Sequence, residues 1–375
     1  MFGRAYIFIF LIVELAAKAQ TDNPYSYYIR ASGNFGFIMQ HRNNMGHLVK
    51  GHVWGAELNV IKPTKGTKLW HYENNFPERG LNFCYYNLGN PQQLGQLFAI
   101  APFYDIPLKD RNSPFRLYMR VSSGLAYVTK EFDPISNHKN NVISVGFNPF
   151  VNFKWFYHFD ISPRLRWEAG LNFAHASNGK FKAPNLGINI LTFNSGITWK
   201  FGQEVPQTPG RLLVDSSSKA PSRHELYVMG AIGFNEIEPP GGSKYTAQTH
   251  TIGYYYNKRN THKFGGGFDF YYSTALIEQI YRDDSVKYSN KLKYVQYGVK
   301  FSYCYNVGRT SFPVEFGYYL HTPYLGDGLF FHRIGVRYYL PQNIILNFSL
   351  KTHWAVANYF EFGAGYRLAL KNKKH

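Results

Sequence analysis

Two segments of this chain fix the kind of wall it can build. From 165 to 174, Leu165, Trp167, Ala169, Leu171 and Phe173 alternate with Arg166, Glu168, Gly170, Asn172 and Ala174. From 191 to 201, Leu191, Phe193, Ser195, Ile197, Trp199 and Phe201 alternate with Thr192, Asn194, Gly196, Thr198 and Lys200. Successive side chains of a strand point to opposite faces, so each segment is apolar on one side and polar on the other. The same period recurs near 26–40, 51–62, 79–88, 95–107, 114–130, 140–158, 163–177 and 186–201. A second series lies near 223–236, 245–257, 262–275, 291–305, 312–322, 328–340, 343–354 and 358–369. Several of these reach the roughly 9–11 residues that cross a bilayer obliquely as a strand.

Alternation alone also fits a soluble sandwich, and three further features favour the membrane. The chain carries 31 Tyr, 32 Phe and 34 Gly in 375 residues, a composition of strands and girdles rather than helices. No stretch after the first twenty residues approaches the roughly 18–20 apolar residues of a membrane helix. At the N-terminus, Arg4 precedes the apolar run Ala5–Val13, and Ala17-Lys18-Ala19 supplies a small-x-small cleavage pattern. Residues 1–19 therefore read as a secretory signal. Export combined with lipid-facing strands predicts an all-β, antiparallel transmembrane β-barrel in the outer membrane of a Gram-negative cell.

Residues 203–222, rich in Pro, Ser and charge, read as a linker between a first unit (20–202) and a second (223–375). One barrel of about sixteen strands and two of eight fit this pattern equally. Both units have a strand carrying histidine, Ala174-His175-Ala176-Ser177 and Thr352-His353-Trp354-Ala355, as a duplicated unit would. The two cysteines, Cys84 and Cys304, lie in aromatic strand-like runs and read as free thiols. Formal charge is +18, or +17 once Arg4, Glu14 and Lys18 leave with the signal. An exported basic protein suits phosphorylated lipids better than nucleic acid. No spacing around His41, His71 or the cysteines resembles a metal site, and no cofactor motif occurs.

The segment from Phe173 to Asn189 carries the chemistry. His175 and Ser177 share a strand face, and Asn178-Gly179 opens a turn. Folding the hairpin about Lys182 places His175 opposite Asn189, each seven residues from that centre. Asn189 has the odd parity of Leu191 and Phe193, so three polar groups meet on an apolar wall. A serine hydroxyl needs a base, and the base needs a third group to fix its tautomer. In that arrangement Ser177 attacks, His175 takes its proton and Asn189 orients the imidazole. Asn178 and Gly179 would hold the oxyanion. Read blandly, the same residues are polar groups at a strand rim near headgroups. In the second unit Ala355 stands where the serine would be, so that unit reads as non-catalytic.

The run His175-x-Ser177-Asn178-Gly179, with Pro184-Asn185-x-Gly187 after it, resembles the lipid A 3-O-deacylases of the PagL type. Gly89-Asn90-Pro91, Leu94-Gly95-Gln96 with Pro102-Phe103, and Thr129-Lys130 through Asn140-Asn141 resemble their longer relatives, the acyloxyacyl hydrolases. The resemblance spans about 26–202 and weakens after 222. It implies an outer-leaflet serine-type esterase acting on lipid A or lipopolysaccharide, with the catalytic His and Ser carried to His175 and Ser177. The family has a glutamate where this chain has Asn189. A Ser-His-Asn set resembles outer-membrane phospholipase A instead, which leaves a phospholipid substrate open. A porin-like or structural barrel is the non-enzymatic alternative. Oligomeric state is not written in the sequence.

Overall fold

The computed structural model describes residues 26–108, 116–202, 222–282, 292–354 and 356–370. The expected signal peptide and, apart from Ser222, the expected linker lie outside them. Eight strands form the first sheet: β1 Tyr27–Ile38, β2 Val53–Pro63, β3 Glu78–Asn87, β4 Gln96–Pro107, β5 Arg116–Val128, β6 Phe147–Asp160, β7 Leu165–Ala176 and β8 Ile188–Phe201. Eight more form the second: β9 His224–Glu236, β10 Lys244–Arg259, β11 His262–Ser273, β12 Val295–Val307, β13 Thr310–His321, β14 Phe330–Tyr339, β15 Ile344–His353 and β16 Val356–Leu370. Each set is an antiparallel meander that closes on itself, β8 on β1 and β16 on β9. Of the two arrangements the alternation allows, the chain adopts two barrels of eight strands.

Alternation suggests a sixth strand from about residue 140, but β6 begins at Phe147. Asn140 explains the difference. Its side chain donates to the Gln93 and Lys130 carbonyls and accepts from the Val142 and Ile143 amides, so the apolar pair is held in a loop. Two short helices, α1 Leu69–Glu73 and α2 Ala275–Arg282, sit in the β2–β3 and β11–β12 connections.

Parity decides what each barrel shows outside. Along β7, Trp167 and Leu171 are 42% and 56% exposed, whereas Arg166, Glu168 and Asn172 are buried. An eight-stranded barrel has an interior just wide enough for side chains, and here charged pairs fill it. In the first barrel Asp105 accepts from Arg120 at 2.7 and 2.9 Å and from Arg30 at 2.8 Å. Lys154 bonds Glu57 at 2.8 Å, and Arg166 bonds Glu78 at 2.7 Å. In the second, Arg333 bridges Glu361 and Glu315 at 2.6 Å each, and Lys300 and Arg337 join Glu315 at 2.9 and 2.7 Å. The thiols of Cys84 and Cys304 are free, buried and in different barrels.

The barrels stand side by side in the same orientation. Tyr27 pairs with Phe201 and His224 with Leu370, so each barrel starts and finishes at one end, the near end. There Tyr305 donates to Asn74 at 2.8 Å and Tyr104 contacts Thr310 at 3.2 Å. At the far end the Glu236 amide donates to the Lys180 carbonyl at 2.8 Å.

Asp105 is the shared acceptor of two guanidinium groups, and removing one partner of a buried pair leaves its charge uncompensated. Asp105→Ala should destabilise the first barrel by about 3–5 kcal/mol, read as a lower urea midpoint of the heat-modifiable band. An unchanged midpoint would show that Arg30 and Arg120 are satisfied without it.

Candidate active site

The far end of the β7–β8 hairpin holds the residues singled out in the sequence. The register places His175 directly across from Asn189, and the odd parity of both directs them outward. His175 Nδ1 and Asn189 Oδ1 are 2.5 Å apart. Strand geometry ends at Ala176, so Ser177 belongs to the turn and not to the wall. Its amide still donates to the Pro149 carbonyl at 3.3 Å, which anchors it on β6, and the residue is only 3% exposed. The serine is therefore tucked beneath the turn rather than open on an apolar face.

Gly187 brings Ser177 and His175 together. It adopts φ +77°, and a Cβ there would lie 2.8 Å from His175 Cε1 and 3.0 Å from Ser177 Cβ. Both side chains thus border one point that only a glycine leaves empty. No hydrogen bond joins Ser177 to His175 in the resting geometry; such contacts tighten when substrate arrives. The Gly179 amide donates toward Ser177 Oγ at 3.3 Å.

Asn178 is built into the turn. Its side-chain amide donates to Ser144 Oγ at 2.9 Å and to the Lys182 carbonyl at 3.0 Å, using both protons. Its backbone amide donates to Asn185 Oδ1 at 3.0 Å. Of the donors named from the sequence, the Gly179 amide is the one directed at the serine oxygen. Glu168 bonds Ser32, and its partners Arg30 and Lys154 lie inside the barrel, away from His175. In the second barrel His353 ends β15 with its ring against Tyr319 and Asn358, and Ala355 lies outside the described residues.

His41 joins the site without having been singled out by any sequence motif. Its Nδ1 lies 3.0 Å from Asn189 Nδ2, and its Nε2 lies 3.0 Å from the Leu186 carbonyl. It reaches Asn189 only through closure of β1 on β8, which the Met39 amide extends to the Asn189 carbonyl. The proton positions follow from the acceptors. A carbonyl can only accept, and the Leu186 carbonyl at 3.0 Å from Nε2 is much nearer than the Met39 carbonyl at 3.5 Å from Nδ1, so His41 carries its proton on Nε2 and offers a lone pair at Nδ1. Asn189 Nδ2 donates to that lone pair, which turns Oδ1 toward His175. His175 then holds its proton on Nδ1 and keeps Nε2 free to take one. This is the tautomer a general base requires. The far-end loops around the site also carry Arg42, Lys50, Lys130, Lys139, Lys180 and Lys182, against Glu131 and Asp133.

Two family models match the chain. Residues 54–198 match "Lipid A 3-O-deacylase (PagL)" and residues 224–372 match "Acyloxyacyl hydrolase, C-terminal domain". Among solved structures, Neisserial surface protein A shares 12% identity over 47% of this chain and 97% of its own, with a TM-score of 0.34. A mutant porin of Rh. blastica shares 8% identity over 92% of this chain and 100% of its own, with a TM-score of 0.18. No curated protein matches the chain.

The proton order gives a direct measurement. In ¹⁵N spectra of histidine-labelled protein at neutral pH, His175 should be protonated at Nδ1 and His41 at Nε2. His41→Leu should leave His175 a mixture of tautomers. A His175 protonated at Nε2 in the intact protein would break the chain from Leu186 to His175.

Proposed function

From the premise that the chain belongs to the family of PagL lipid A 3-O-deacylases and acyloxyacyl hydrolases, we propose that its first barrel removes an ester-linked acyl chain from lipid A in the outer leaflet of the outer membrane. In this reading Ser177 is the nucleophile, His175 the base and Asn189 the group that holds it. The observation that carries the reading is the short His175–Asn189 contact beside a serine that shares the Gly187 notch.

The reaction is ordinary ester hydrolysis in two halves. His175 Nε2 takes the Ser177 proton as Oγ attacks the acyl carbonyl carbon. The Gly179 amide, which donates to Ser177 Oγ at rest, is freed as that oxygen attacks and passes to the carbonyl oxygen on which charge develops. When the carbon–oxygen bond to the sugar breaks, His175 returns the proton to the leaving alkoxide. Water, deprotonated by the same nitrogen, then releases the fatty acid from Ser177. The outward parity of His175 and Asn189 suits an acyl chain that never leaves the bilayer, and the basic far-end loops suit a phosphorylated headgroup.

Asn189 favours one rival, a phospholipase, since an amide orients imidazole without balancing its charge. Filled lumens oppose a second, conduction through either barrel. Mass spectrometry of lipid A and phospholipids from expressing cells distinguishes them. Loss of one acyl chain from lipid A supports the proposal, and loss from phospholipid alone transfers the activity. Ser177→Ala and His175→Ala should each abolish the shift while the barrel still folds. The two losses should not add, because such residues act as a unit. Asn189→Ala should cost less than either, up to about 10⁴-fold, the cost of losing an orienting group in a serine protease.

Asn189→Glu is the sharper variant. A carboxylate has no proton for His41 Nδ1, so His41 must donate from that nitrogen and still face the Leu186 carbonyl. A neutral ring does one or the other. The variant should therefore stay active with a changed pH profile. Adding His41→Leu should bring that profile back toward the parent's. An unaltered pH profile in Asn189→Glu would show that His41 does not set the amide.

A further inference from the structure

We propose that the second barrel is a working part of the active site: its far rim fixes the turn that carries the Gly179 amide. The proposal rests on the reading of Ser177 as nucleophile, and it assigns a role to the barrel whose sequence has Ala355 where the serine would stand. Three consecutive residues of the turn are held from across the gap. Gly179 sits at φ +61°, and the Phe360 ring of β16 occupies the space a side chain would take there. Lys180, at φ +65°, offers its carbonyl to the Glu236 amide at the end of β9, 2.8 Å away. Phe181 offers its carbonyl to Lys244 Nζ at 2.5 Å, and the same ammonium lies 4.9 Å from the Phe181 ring centroid.

This matters because of what the turn does. Lysine resists positive φ, and a residue held in a strained conformation persists only where its surroundings over-determine it. Here those surroundings belong to the other barrel. The peptide between Ser177 and Lys180 contains the Gly179 amide, which donates to Ser177 Oγ at rest and passes to the oxyanion in the proposed reaction, and donors at an oxyanion act through preorganisation. Phe360 is well placed to buttress without being needed for folding. It faces outward on β16, stacked on Phe348 with ring centroids 5.1 Å apart, while Tyr359 and Glu361 on either side face the lumen. Lys244 and Glu236 are joined by an ion pair, so the rim that meets the turn is braced within its own barrel.

The test uses the full chain with Phe360→Ala, Lys244→Met and the two combined. A shift of the donor by an ångström should lower kcat by roughly tenfold to a hundredfold with KM unchanged. Heat-modifiable folding should persist. Phe362→Ala, on the same outward face of β16 but 56% exposed, should have no effect. Gly179→Ala should be harmful in the parent and less harmful in the Phe360→Ala background, where only the strain of its positive φ remains, a coupling that independent barrels would not show. A readout that needs no catalysis is tryptic cleavage after Lys180 and Lys182 in a Ser177→Ala background. The clamp variants should be cut faster there, because local opening governs cleavage. Unchanged kcat and unchanged cleavage in the combined variant, or strictly multiplicative effects of Gly179→Ala and Phe360→Ala, would overturn the proposal. Failure of the nucleophile reading looks different: Ser177→Ala would stay active.

Discussion

Hydrocarbon offers no hydrogen bonds, so a chain that crosses it as strands must pair each backbone amide and carbonyl with a neighbouring strand. That requirement forces closure, and closure organises the rest of the molecule. It turns one face of each strand outward as Phe, Trp, Tyr and Leu and leaves the other face a narrow interior. There Arg30, Arg120, Lys154, Arg333 and Lys300 meet carboxylates with no exposure to solvent. The candidate site depends on the same closure. β7 and β8 set His175 against Asn189, and the seam between β8 and β1 brings in His41 from the start of the barrel.

How much of the molecule is legible in its sequence depends on the range of the physics involved. Period two is local, so strands such as Leu165–Ala176 and Ile188–Phe201 are visible to within a few residues. Hairpin pairing is nearly local, so counting outward from Lys182 suffices to set His175 across from Asn189. The counting stops at Ala176, where the strand ends, and for that reason the burial of Ser177 under the turn is not legible. Whether β8 turns back to β1 or continues to β9 is decided by closure, which leaves no mark in a two-residue period. His41 is invisible for the same reason, and Asn140 because a side chain there does the work of a strand partner.

The amide at Asn189 changes how the site is held rather than which atoms meet. A carboxylate would orient His175 by charge and need no support on its other side. An amide must be told which end to present, and the instruction comes from the Leu186 carbonyl through His41. The orienting group is thus a relay of neutral dipoles, suited to a wall where an unpaired charge is expensive. Substituting one member without the other reverses a donor and an acceptor somewhere along the relay.

Each barrel brings the chain back to the side from which it set out, since the first and last strands of a closed antiparallel meander with an even count lie beside each other at one end. The path from Gly202 to Ser222 therefore starts and finishes on the same side of the bilayer. A barrel of this kind can be copied and joined head to tail without sending a connection through lipid and without inverting the copy. An odd count would place the second barrel upside down, and its rim could then never meet the β7–β8 turn of the first. Parity of strand number, a property of arithmetic more than of chemistry, is what sets the two far rims side by side.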